Sequence, residues 1–159
     1  MTDGMLKIMA GAAMMGAVIG GTAWMSMGPK QAEVTTQAMA VIQSLTQTSG
    51  SVAARNLMNG GSGHDHVDAH LLVQEGYLAA LPENPAIRSR DGLPRVSATM
   101  SADGVMRPVV QMMLGDAGEL CDEIQQQVTG RKAEATDRYP LDRVGCVKAS
   151  GGFVAYSRI

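Results

Sequence analysis

All three histidines of the chain fall in one short run, Gly63-His64-Asp65-His66-Val67-Asp68-Ala69-His70. Imidazoles and carboxylates this close together carry the donor atoms that a divalent metal takes, with His64, His66, His70 and Asp68 as candidate ligands. The same run follows a glycine-rich stretch, Asn59-Gly60-Gly61-Ser62-Gly63, and opens a helical pattern. There Asp65 or Asp68 serves equally well as an acid in the first turn, near the positive end of the helix dipole. No histidine exists elsewhere to complete a catalytic centre, no Ser/His/Asp arrangement emerges, and Gly60-Gly61 lacks the Lys-Ser/Thr of a phosphate-binding loop. The expectation is a solvated loop and helix start, with no enzyme activity, no cofactor and no metal. A single-pass, membrane-anchored periplasmic binding module that uses the His/Asp cluster is the alternative.

The elements that must hold these residues begin with an apolar stretch. Ile8 to Gly28 gives 21 consecutive uncharged positions, bracketed by Lys7 and Lys30, with Trp24 near one end. At 1.5 Å per residue this is roughly 30 Å of helix, the thickness of a bilayer's hydrocarbon core. A cleaved secretory signal has a shorter apolar stretch, and Ala23-Trp24-Met25-Ser26-Met27 offers no small-x-small cleavage site, so a retained anchor is expected. Ala12, Gly16 and Gly20 recur every four positions, as do Ala13, Ala17 and Gly21. Two such stripes allow close backbone approach and predict a helix built to pack against other helices.

Pro29 predicts a kink, after which Val34, Ala38, Val41 or Ile42, and Leu45 fall at helical spacing, with Gln, Thr and Ser on the other face. The helix is expected to run to about Gln47, with Gly50 interrupting it and Ser51 to Met58 forming a further helical piece. A second helix is expected over Val67 to Tyr77, placing Leu71 and Leu72 towards a core. Two prolines in Leu81-Pro82-Glu83-Asn84-Pro85 forbid further helix. Arg95 to Met100 and Val105 to Leu114 read as strands joined by Ala102-Asp103-Gly104, with Pro108 requiring an edge or bulge position. Asp116 is the expected cap of a short helix with Leu120, Ile124 and Val128 on one face, closed by Gly130. Arg143 to Lys148 and Phe153 to Arg158 are the last strands.

Cys121 and Cys146 are the only cysteines, and both lie beyond the apolar stretch, which implies an oxidising compartment. Their spacing is not that of a CxxC metal or redox pair, and a structural disulfide is expected. Closing a loop of this length contributes about 3 kcal/mol in the chain-entropy model. The chain has a net charge of −2 and no run of Lys or Arg, so nothing predicts a nucleic-acid partner. It also has 13 Met and 19 Gly but only one Trp, three Tyr and one Phe, which makes a modest core.

Taken together, the chain resembles type IV pilins and the pseudopilins of type II secretion. The resemblance covers nearly the whole length: Met1-Thr2-Asp3-Gly4 as a short leader, the hydrophobic helix, Leu72 to Pro85, and the region from Cys121 to Gln127 and Gly145-Cys146 to Tyr156. It implies cleavage by a prepilin peptidase between Gly4 and Met5, with Met5 as an N-methylated mature terminus. Met9 stands where most members carry a glutamate, and Pro29 lies three positions later than the family's helix-breaking proline. The implied fold is α+β, with a long N-terminal helix, transmembrane and then amphipathic, packed on a small C-terminal antiparallel sheet. The implied organisation is a leader at 1–4, a transmembrane and assembly helix at 5–28, and an exported globular domain at 29–159. The implied function is that of a structural subunit of a type IV pilus-like or type II secretion-like filament. Its partners would be copies of itself or related pilin subunits. It would reside in the inner membrane with its C-terminal domain exported, and then in an extracellular filament.

Overall fold

The computed structural model describes residues 28–60 and 67–159. The processing site Gly4-Met5, the stripes Ala12/Gly16/Gly20 and Ala13/Ala17/Gly21, and His64, Asp65 and His66 lie outside the described residues. The chain divides into two compact units, 1–33 and 34–159. In the first, the described residues open a helix at Pro29, where the missing N–H costs nothing because first-turn donors have no partner in the helix. The second unit carries the rest of the fold.

Helix α1 spans Pro29–Met58. In the second unit it buries Ala38, Val41, Leu45, Thr48 and Val52, at alternating steps of three and four that mark one face, with Ser49 beside them. The buried hydroxyls return to the helix's own carbonyls: Thr48 Oγ1 donates to Ser44 O at 2.7 Å and Ser49 Oγ to Thr46 O at 3.0 Å. The helix continues unbroken through Gly50, against the sequence expectation. A mid-helix glycine costs about 1 kcal/mol, too little to end a helix whose flanking residues Leu45, Ser49 and Val52 are held in a core.

The second helix, α2, is shorter than expected, at Ala69–Gln74. Asp68 caps it, its Oδ1 accepting from Leu71 N at 2.9 Å. The chain then turns, with both Tyr77 N and Leu78 N donating to Leu72 O. Leu72 is fully buried and Leu71 packs at the core's margin. A 3₁₀ turn at Arg90–Gly92 leads into strand β1, Arg95–Met100. Strand β2 is Met106–Gly115, helix α3 is Gly118–Thr129, strand β3 is Glu134–Ala135, strand β4 is Val144–Ala149 and strand β5 is Gly152–Arg158.

The five strands lie in the order β1-β2-β5-β4-β3. All pairings are antiparallel except that of β3 with β4, a two-residue parallel edge that the sequence reading missed. Pro108 pairs with Ala98 of β1 but lies one residue past the last pairing of β2 with β5, so one neighbour has already run out where it sits. Asp116 does not cap α3. The N-cap position is Ala117, whose methyl group accepts no hydrogen bond, and Gly130 at φ 72° closes the helix in the left-handed region as expected.

One face of the sheet, with Val110, Met112, Leu114, Cys146 and Ala155, shares a core with α1, α2 and α3. Ser157 Oγ donates to Ser49 Oγ at 3.0 Å across this contact. The other face buries Val109, Val147, Val154 and Tyr156 under Tyr139, which comes from the loop before β4. The two tyrosine rings meet edge to face at 5.0 Å. Burial raises the pKa of both phenols.

Asn84 joins the loop after α2 to the sheet. It is 6% exposed, and its Nδ2 donates to Gly92 O at 2.8 Å and Met113 O at 2.7 Å. Its Oδ1 accepts from Ala86 N and Ile87 N at 2.9 and 3.2 Å, which fills every hydrogen-bonding position of the amide. The close turn it holds leaves no room at Gly92, where a Cβ would lie 2.1 Å from Ile87 O. Asn84→Ala is expected to cost about 2–4 kcal/mol in urea unfolding, because one buried and one part-buried carbonyl lose their donor. A loss below a tenth of the total stability would show that the amide is dispensable.

Candidate functional site

Two features hold residues that the sequence singled out, and two more lie where no chemical motif pointed. The first is the bond between Cys121 on α3 and Cys146 on β4, with Cα atoms 5.4 Å apart. Both cysteines are buried, at 0% and 1% exposure, so the pair belongs to the core and offers no accessible thiol chemistry. Gln125, one helical turn after Cys121, reinforces it. Its Oε1 accepts from Cys146 N at 2.9 Å, and its Nε2 donates to Thr129 Oγ1 at 3.0 Å. The amide supplies the acceptor that a longer neighbouring strand would have given β4 at that position.

The second is the described part of the histidine run. Asp68 spends one oxygen on the α2 cap, and His70 is exposed. A small hollow of about 190 Å³ beside them is lined by Arg90, Asp91, Leu93, Pro94 and Arg95. Among the described residues, no three His, Cys, Asp or Glu side chains are grouped to hold a metal ion.

The third is the link between α1 and the segment after α2. Arg55 and Glu75 form a two-pronged ion pair, Nε to Oε2 at 2.6 Å and Nη2 to Oε1 at 3.2 Å. Ser51 Oγ donates to Tyr77 O at 2.9 Å beside it. The hydrogen bond from Arg55 holds the Glu75 carboxyl below its usual range, and the same hydrogen bond lifts the guanidinium in turn.

The fourth is a groove of about 720 Å³ between α1 and α3, lined by Met39, Ile42, Gln43, Thr46, Gln47, Gln127 and Val128. Thr35 Oγ1 donates to Glu123 Oε1 at 3.0 Å and Gln127 Nε2 to Thr35 O at 3.4 Å, which ties the two helices at one end of it. Val128 belongs to this groove at 38% exposure, not to the core face of α3 as its spacing predicted; Leu120 and Ile124 take the core positions. No charged side chain lines the groove. The sequence signal for it was the lack of charge: no Asp, Glu, Lys or Arg occurs from Val34 to Ala54.

No family model, no curated protein and no solved structure matches the chain. Among the described residues no helix is long and apolar enough to cross a membrane, and the expected span up to Met27 lies outside them.

Replacing both Cys121 and Cys146 by Ala is expected to lower stability by about 3 kcal/mol, read as a shift in the denaturant midpoint. Reduction of the native chain should approach the same value, and an unchanged midpoint would remove the disulfide from the account. Glu75 has a depressed folded pKa, so its contribution is present above the ordinary carboxylate range and is lost as pH falls through the lowered value. Stability curves of the native chain and Glu75→Gln should therefore differ at neutral pH and converge on acidification. Parallel curves would argue against the pair's contribution.

Proposed function

We propose that this chain is a membrane-anchored structural subunit of the type IV pilin or pseudopilin kind, which assembles into a helical filament through its N-terminal helix. The observation that carries the reading is the run of one helix, Pro29–Met58, whose inner face covers an antiparallel β2-β5-β4 region while the outer face bears no charge between Val34 and Ala54. In sequence this helix follows directly on the uncharged stretch from Ile8 to Gly28 with its small-residue stripes. The disulfide between Cys121 and Cys146 agrees with an oxidising, exported setting for the domain. The chain works by packing: its first thirty residues bind neighbours, and the sheet domain is displayed to solvent.

Two measurements test it. The mass of the N-terminal peptide from cells is expected to show a methylated Met5, and an intact Met1 would count against processing by a prepilin peptidase. Gly16→Leu or Gly20→Leu is expected to abolish assembly while the Cys121–Cys146 domain still forms its disulfide, because a leucine fills the notch where backbones approach. Normal filaments from both variants would sink the reading.

A further inference from the structure

We propose that the hollow beside α2 binds a small zwitterion, a free α-amino acid, with its carboxylate on Arg90 and Arg95 and its ammonium group on Asp91. Two guanidiniums, Arg90 and Arg95, and two carboxylates, Asp68 and Asp91, line this hollow together with His70. Charges of both signs thus stand around one space of about 190 Å³. None of the four forms an ion pair with another described residue. Asp68 spends one oxygen on Leu71 N, at 2.9 Å. Asp91 and the two guanidiniums are left to water.

The mixture of signs selects the ligand. An anion alone would meet the two carboxylates, and a cation alone would meet the two guanidiniums. A molecule that carries both charges meets each with its opposite, and a guanidinium takes a carboxylate as a two-pronged partner. The space is smaller than the roughly 300–1,000 Å³ of pockets for drug-sized ligands, so the molecule is small. Leu93 and Pro94 add an apolar part to the lining, against which a short side chain can rest.

The backbone around the hollow is fixed before any ligand arrives. Ala69 N donates to Pro94 O at 3.2 Å and Val96 N to Val67 O at 2.9 Å, which ties the entry to α2 to the start of β1. Arg90 and Asp91 lie on the 3₁₀ turn, closed by Leu93 N on Arg90 O at 3.2 Å. Asn84 grips that turn at Gly92 O. Binding therefore orders only the charged side chains. Arg90, Asp91, Arg95 and His70 are all exposed, so each contact competes with water and salt. The affinity expected of such contacts is roughly millimolar. The site does not depend on how the N-terminal helix is used.

The test uses the full chain in detergent micelles, followed through the amide NMR signals of His70, Gly92 and Arg95. L-Alanine is expected to shift them to saturation, with acetate and ethylammonium each about tenfold weaker at equal ionic strength. Arg90→Gln combined with Arg95→Gln should weaken alanine binding about tenfold. Asp91→Asn should weaken alanine but strengthen acetate, because a repelling carboxylate has gone. These variants change exposed side chains only, and an unmoved Val110 signal with an intact Cys121–Cys146 bond checks the fold. No saturable shift with alanine would overturn the proposal. So would acetate binding as tightly as alanine, which would mark a plain anion site, or alanine binding that ignores the arginine and aspartate variants.

Discussion

The burial of one stripe of α1 against the β2-β5 face of the sheet is the constraint on which the other features depend. Ala38, Val41, Leu45 and Val52 are all without exposed surface, and they share their core with Val110, Met112, Leu114 and Ala155. None of these side chains is aromatic, so each contributes modestly at about 25 cal/mol per Å² of apolar area removed from water. A core this thin in aromatics needs its elements fixed by other means. The Ser157–Ser49 contact shows how close helix and strand lie, since two short hydroxyls span the gap.

Directed polar bonds do the fixing. Asn84 seats the loop after α2 on the end of β2, Gln125 and the disulfide seat α3 on β4, and Arg158 seats the last strand on the loop before β4. The guanidinium of Arg158 donates to the carbonyls of Tyr139, Pro140 and Asp142 and to Ser101 Oγ. The outer edge of β1 is also closed at both ends, by Val96 N on Val67 O at 2.9 Å and by Tyr139 N on Met100 O at 2.8 Å. Little open strand edge remains there to recruit a foreign strand.

The inner and outer faces of α1 thus differ in a way that propensity alone would not require. Threonines, serines and glutamines satisfy themselves or meet water on the outer side, and charge is withheld for 21 positions. A helix meant only to shield a sheet gains solubility from lysine and glutamate on that side. Their absence leaves the outer side of α1 uncharged from Val34 to Ala54.

Local signals in the sequence were enough for the helical stripe from Val34 to Leu45, strand β1, the Asp103-Gly104 turn, the Gly130 cap and the pairing of the two cysteines. Each depends on neighbours a few residues away or, for the cysteines, on there being no other choice. Tertiary packing decided the rest. It carried α1 through Gly50, because core contacts on either side outweigh the cost of one glycine, and it turned Val128 outward to line a groove. It gave α3 its start at Ala117 in place of Asp116, and it added β3 as a parallel edge that two residues could never announce. It also gave Asn84 four partners, one of them, Met113, in a distant segment, because a buried amide is fixed by whichever carbonyls and N–H groups the fold brings to it.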